Sequence, residues 1–334
     1  MNILWTLFAW MIPVFAFSHT PTVDPGPPSP YLPIHCFPVS SHPVPFQYVN
    51  RLIRIEAMVN RSNAGHHFYL DTGAPTFITQ NLADLHAVSG SLAGLASDVE
   101  GNVQRVQEYL LNSLHLGSWE LKNLRVASSE GVAQMPILRG TASGGLLGAD
   151  AMQGAVWMID YASQTLYVQH HPEHQCLPEN ALVSKMYTDR TGSPIIELEL
   201  QPGIREKFII DLAFNGSLLV TDKLLSRLDL VDSLRFTRTE KYSTGFRTTY
   251  REVVYDFLPS LRIGNGTTGM VKLSSGGKRT KKLIGNEFLE QFILTLDFRN
   301  RMVILIPNGR EGELEYASPC DISESGSSCT ISPG

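Results

Sequence analysis

The chain has 334 residues, 43% of them hydrophobic, with 32 acidic against 27 basic side chains and a formal net charge of −5. That apolar content builds a sizeable core and excludes a disordered chain, and the length favours about two domains. The weakly acidic balance gives no electrostatic reason to expect a nucleic-acid partner, and the one basic cluster, Lys278-Arg279-Thr280-Lys281-Lys282, reads as a solvated hairpin.

The N-terminal stretch MNILWTLFAWMIPVFAFSHT carries an apolar run from Ile3 to Phe17, too short for a comfortable membrane span, and a small-x-small site at Ala16-Phe17-Ser18. Residues 1–18 therefore read as a signal peptide cleaved after Ser18, which makes the protein secreted or periplasmic. The stretch has no Lys or Arg ahead of the apolar run, so an uncleaved membrane anchor stands as the alternative. Residues 19–46 are crowded with proline and almost uncharged; fixed φ and missing donors make them an extended linker, with the folded body starting near Phe46. In an oxidising compartment the four cysteines, Cys36, Cys176, Cys320 and Cys329, allow three connectivities. The favoured pairing joins Cys36 to Cys176 and Cys320 to Cys329.

In the body, HHFYLDTGAPTFIT at 66–79 ends an apolar strand-like run with Asp71 and follows it with Thr72 and Gly73. A carboxylate there is costly unless the fold holds it for a purpose. The motif recurs: FYLDTGAPTFIT at 68–79 is echoed by FIIDLAFNGSLLVT at 208–221, which places Asp211, Leu212 and Ala213 opposite Asp71, Thr72 and Gly73. LHLG at 114–117 is echoed by LRIG at 261–264. LLGADAMQGAVWMIDYASQTLYV, from Leu146, lies without a gap on LIGNEFLEQFILTLDFRNRMVIL, from Leu283, pairing Leu147 with Ile284, Gly148 with Gly285 and Asp160 with Asp297. The order is kept, so the body is a duplication, with lobes at 47–172 and 185–307 and a tail at 308–334. Runs such as Ile195 to Leu200 and Val253 to Leu258 are rich in β-formers, while helical signal is confined to short stretches at Ala149 to Gln153 and Asp222 to Leu230. The expected class is all-β, two homologous β-barrel lobes with a cleft between them.

On these residues the chain resembles the aspartic proteases of the pepsin and retropepsin group: apolar-apolar-Asp-Thr-Gly-Ala, then apolar-apolar-Gly further on, the whole order repeated. The second half, with Asp-x-x-Phe-Asn-Gly and LIGNEFLEQF, looks most like the small retropepsin-like proteases of microbes. The resemblance spans roughly residues 47 to 307. It implies an endopeptidase in which Asp71 and Asp211 form a catalytic dyad, Thr72 hydrogen-bonds across to the other lobe, and peptide or protein is the substrate. Because lobe 2 supplies a matched Asp, a monomer is expected.

Two carboxylates about 3 Å apart cannot both ionise, so the pair shares a proton and gives an acid and a base together, with no cofactor or metal required. The apolar strand before each Asp lowers the local dielectric, and Gly73 lets backbone approach where a Cβ would obstruct. Leu212 and Ala213 depart from the family's Thr and Gly, which raises a second reading: a catalytically impaired, protease-like protein that binds an extended peptide by strand addition. Hairpins with Gly101 near one tip and Gly245 near the other are candidate flaps over the cleft, with Tyr242 and Phe246 as candidate substrate contacts.

Other signals carry less. His170, His171, His174 and Cys176 lie close together, but the Pro172 turn and the disulfide role of Cys176 weigh against a metal. Gly144 to Gly148 imitates a phosphate loop without the βαβ context one needs. Asn60, Asn215 and Asn265 begin glycosylation sequons, and a glycan on Asn215 would obstruct the dyad.

Overall fold

A computed structural model of the chain describes residues 43–308, apart from 61, 63, 98–102, 130–131, 136, 139–142, 171–176, 231–233, 244–247, 276 and 279. The signal segment, most of the linker, all four cysteines, the tail, Gly101, Gly245 and Phe246 lie outside the described residues. Among those described, no helix is long and apolar enough to cross a membrane.

The sequence repeat is a repeat of strand order. One sheet contains the run Leu52–Val59, Gly65–Asp71, Gly145–Gly148, Phe77–Ile78, Trp119–Ser128, Val103–Leu116, Val88–Ser97. The other contains, in the same spatial order, Pro194–Gln201, Ile204–Ile210, Leu283–Ile284, Leu218–Val220, Val271–Ser275, Thr248–Leu258, Phe236–Ser243. In each lobe a short central strand runs parallel to the Asp-bearing one and antiparallel to the strand after it. These central strands are buried throughout, as Leu146-Leu147 and Leu283-Ile284 require, whereas outer strands such as Leu52–Val59 alternate, with Ile53, Ile55, Ala57 and Val59 inward.

A second set of strands joins the halves. Leu182–Lys185, Met302–Pro307, Phe292–Asp297, Val156–Asp160, Thr165–Gln169 and Pro43–Val49 form a continuous antiparallel platform that runs on into the first sheet. Its seam carries the pseudo-two-fold axis: the gapless repeat puts Met158 on Thr295, and Met158 is also the residue that Thr295 pairs with. Trp157, Leu294 and Leu296 are fully buried at this seam, within an apolar core that extends through both lobes. The repeated Asp160 and Asp297 are turn formers, each accepting backbone N–H bonds from the two residues that close the following turn.

Four expectations need correction. Strand structure begins at Pro43 rather than Phe46, because Pro43, Val44 and Pro45 pair with Tyr167, Leu166 and Thr165 at the platform's edge, where prolines are tolerated. The helix expected to reach Leu230 stops at Leu225, capped by the Thr221 hydroxyl accepting from Leu224 N–H at 3.2 Å. A helix over Gln80–His86 was not expected; it buries only Leu82 and Ala83 and leaves Leu85 exposed, so its apolar periodicity is faint. The described part of the basic cluster, Lys278 and Thr280 to Lys282, is not a hairpin strand but leads in to Leu283–Ile284, with Lys282 bonded to Glu206.

Gly148 and Gly285 occupy matching tight spots. A Cβ on Gly148 would stand 2.2 Å from the Pro75 carbonyl carbon, and one on Gly285 would stand 2.4 Å from the Gly216 and Phe214 carbonyl oxygens. Gly148→Ala or Gly285→Ala is expected to destabilise the protein by about 3 kcal/mol. Gly269→Ala, where a Cβ meets nothing within 4 Å, should stay within about 0.5 kcal/mol in the same urea titration.

Candidate active site

Asp71 is the last residue of strand Gly65–Asp71, paired with Gly148, and Asp211 directly follows strand Ile204–Ile210, its N–H bonded to the Ile284 carbonyl at 2.9 Å. Each carboxyl is fixed by the turn after it: Asp71 Oδ1 accepts from Gly73 N–H at 3.0 Å, and Asp211 Oδ1 from Ala213 N–H at 2.9 Å. Both side chains are buried, and the Asp71 carboxyl lies within reach of the Asp211 charge. A Cβ on Gly73 would lie 2.6 Å from Asp211 Oδ2, so the lobe 2 carboxyl occupies space that only glycine leaves open in lobe 1.

Thr72 crosses between the lobes. Its fully buried hydroxyl donates to the Ile210 carbonyl at 2.6 Å and accepts from Leu212 N–H at 3.0 Å, clasping the backbone on both sides of Asp211. Leu212, its counterpart, is equally buried but ends in hydrocarbon and cannot return the contact.

This pair of buried carboxyls, one from each duplicated lobe, can be compared with known proteins. No protein-family model matches the chain, and no curated protein matches it. Among solved structures it is similar to the aspartic proteinase from Irpex lacteus, with a TM-score of 0.50 at 13% identity over 80% of this chain and 97% of that one. The chain has the two-lobe fold of a pepsin-like aspartic proteinase. At that identity the likeness speaks for the fold, and the chemistry rests on the residues.

Within this pepsin-like fold, burial holds the Asp71 carboxyl well above the usual carboxylate range, and the charge of Asp211 pushes it the same way. Burial also raises Asp211, against the pull of the Ala213 and Phe214 N–H groups. The ammonium of exposed Lys281 acts on both, favouring the ionised forms. One proton shared between two raised carboxyls is the state this arrangement favours.

Of the other residues singled out, Leu147 and Ile284 are fully buried in the central strands beside Leu70 and Ile210, and Gly148 and Gly285 close those strands. Tyr242 lies in strand Phe236–Ser243 opposite Thr249, on an arm of the lobe 2 hairpin; the lobe 1 hairpin pairs Val88–Ser97 with Val103–Leu116. Among the described residues no group of three His, Cys, Asp or Glu side chains is placed to hold a metal ion.

Three residues near the dyad went unread. Asp150 accepts from Thr76 N–H and hydroxyl at 2.8 and 2.6 Å while the Thr76 hydroxyl accepts from Gly148 N–H at 3.0 Å, tying the dyad loop to the central strand; burial raises this carboxyl to about 6. Asn286 stands where the repeat has Ala149, a difference visible in the alignment itself. Lys281 was read as solvated, since sequence alone does not place its charge beside two buried carboxyls.

Removing that charge by Lys281→Met should raise both dyad titrations. A ¹³C carboxyl NMR titration of Asp71 and Asp211 checks this, and unchanged or lowered values would contradict it.

Proposed function

We propose that this chain is an exported aspartic endopeptidase that hydrolyses peptide bonds with Asp71 and Asp211. The observation that carries the reading is the pair of buried carboxyls, one from each repeat, with that of Asp211 seated against the lobe 1 turn where Gly73 lacks a side chain. Export rests on the apolar N-terminal run and the small-x-small site after it.

The chemistry follows from the shared proton. The carboxyl that carries it donates a hydrogen bond to the scissile carbonyl oxygen. The ionised partner takes a proton from a water lying between the two, so that hydroxide adds to the carbonyl carbon as negative charge develops on oxygen. The proton taken from water then passes to the amide nitrogen as the C–N bond breaks. The carboxyls then hold one proton between them again, and the cycle closes without a metal or cofactor. An extended peptide between the lobes is the substrate form that suits a cleft walled by β-hairpins.

A second reading, a peptide-binding protein of impaired catalysis, is favoured by one feature, Leu212-Ala213 in place of Thr-Gly. Leu212→Thr with Ala213→Gly separates the two: activity appearing only in the substituted chain favours binding, and comparable activity in both favours the protease.

Asp71→Asn and Asp211→Asn should each abolish cleavage of a denatured protein mixture, a loss of at least about 10³-fold. Retained activity in Asp211→Asn would rule out the two-lobe mechanism. Catalysis needs one carboxyl ionised and one protonated, and both are raised. The profile is therefore expected to be bell-shaped, with cleavage persisting towards neutral pH, blocked by a hydroxyl mimic of the tetrahedral intermediate and indifferent to chelators. Activity that climbs monotonically into alkaline pH, or that chelators remove, would contradict this mechanism.

A further inference from the structure

The lobes hold their dyad loops with matching backbone bonds. Ala149 N–H donates to the Ala74 carbonyl at 2.9 Å, and at the equivalent place Asn286 N–H donates to the Phe214 carbonyl at 2.8 Å. The side chains at these positions are not equivalent. Ala149 ends in a methyl, whereas Asn286 carries a fully buried amide whose Nδ2 donates to the Leu212 carbonyl at 2.8 Å and the Arg51 carbonyl at 2.7 Å. Its Oδ1 accepts from the Tyr161 hydroxyl at 2.8 Å. Two carbonyls can only accept, so chemistry fixes the amide's orientation and uses both its hydrogens and its oxygen.

Arg51 and Tyr161 belong to lobe 1 and Leu212 to the dyad loop of lobe 2, so the amide is a second bridge between lobes. It stands on the other side of Leu212 from the first. Thr72 holds the peptide between Asp211 and Leu212 through the Leu212 N–H. Asn286 holds the next peptide through the Leu212 carbonyl. That peptide is planar, and its N–H, on Ala213, is the one that donates to Asp211 Oδ1. Fixing its carbonyl fixes the donor that aims the carboxyl. Lobe 1 has the reverse distribution, a hydroxyl at Thr72 and no amide at Ala149.

We propose that Asn286 is a positioning residue for Asp211, holding from the helix after Gly285 the peptide whose N–H aims the carboxyl. The proposal rests on reading Asp71 and Asp211 as the dyad.

The test compares the full chain with Asn286→Ala, Leu212→Thr and the double variant. Two readouts are used: kcat and KM on a peptide found by digesting a denatured protein mixture, and the ¹³C carboxyl titration of Asp211, which needs no activity. Asn286→Ala is expected to lower kcat about 100-fold with KM changed less than about twofold, as a misaimed carboxyl would, and to shift the Asp211 titration. Adding Leu212→Thr should recover less than about tenfold of that loss, since by the repeat its hydroxyl would face the Leu70 carbonyl and Thr72 N–H beside Asp71 rather than the Leu212 carbonyl. Tyr161→Phe keeps the ring, removes only the hydroxyl that holds Asn286, and should move both readouts the same way by less; it decides the matter if Asn286→Ala does not fold. Folded variants with unchanged kcat and titration, or a loss that Leu212→Thr recovers in full, would overturn the role of Asn286 while leaving the protease reading intact. If the unsubstituted chain cleaves nothing, the protease reading falls, and the Asp211 titration alone decides: a shift in Asn286→Ala supports the positioning role and an unchanged curve overturns it.

Discussion

Two buried carboxyl groups, close enough for the charge of one to act on the other, are the constraint around which this protein is arranged. Each would prefer water, and each raises the free energy of ionising the other. The surroundings are what make the pair tolerable. Turn N–H groups from Gly73 and Ala213 give each carboxyl a fixed donor, Lys281 adds a cation that favours the ionised forms, and Gly73 leaves the space into which Asp211 fits. None of this works unless the lobes stay in register. The platform seam between Val156–Asp160 and Phe292–Asp297, with Trp157, Leu294 and Leu296 sealed beneath it, keeps them there.

Duplication gave the two halves one backbone plan and left their side chains to diverge. Strand order, the parallel central strand, the Gly that ends it and the short helix after it are common to both. The polar groups that steady the dyad are split instead. Lobe 1 contributes the Thr72 hydroxyl and the Thr76–Asp150 cluster, and lobe 2 contributes the Asn286 amide, with Leu212 filling the place of the second hydroxyl. An apolar Leu212 therefore need not mean a slack loop. Its backbone is held at both its N–H and its C=O from the opposite lobe or through a residue tied to it.

Much of this was legible in the sequence because duplication writes each feature twice. The Asp-bearing strands and the matched Gly148 and Gly285 followed from aligning the chain with itself, and the cross-lobe role of Thr72 followed from the resemblance. What escaped has physical reasons. The strand at Pro43–Pro45 carries prolines that argue against strand, yet an edge position spares them the missing donor. Helix Gln80–His86 buries too little apolar surface to show a period. Asn286 carried no local signal, because its partners Arg51 and Tyr161 lie 235 and 125 positions away in the chain. Lys281 looked solvated, and it is, but its field reaches groups that sequence proximity does not reveal.

The central claim, that folding forces two carboxyls into a buried pair which holds protons more tightly than the unfolded chain does, is tested most directly by stability against pH. Folded-state values raised above the unfolded ones mean that the pair's contribution is fully present below the ordinary Asp range and is lost as pH rises through the raised values. Urea unfolding of the wild-type chain and of Asp71→Asn with Asp211→Asn, from about pH 3.5 to 7.5, isolates that contribution. The account predicts that the doubly substituted protein gains on the wild type steadily as pH rises and is the more stable of the two at neutral pH. A stability difference that does not change with pH, or a wild-type chain that gains on the variant as pH rises, would contradict it.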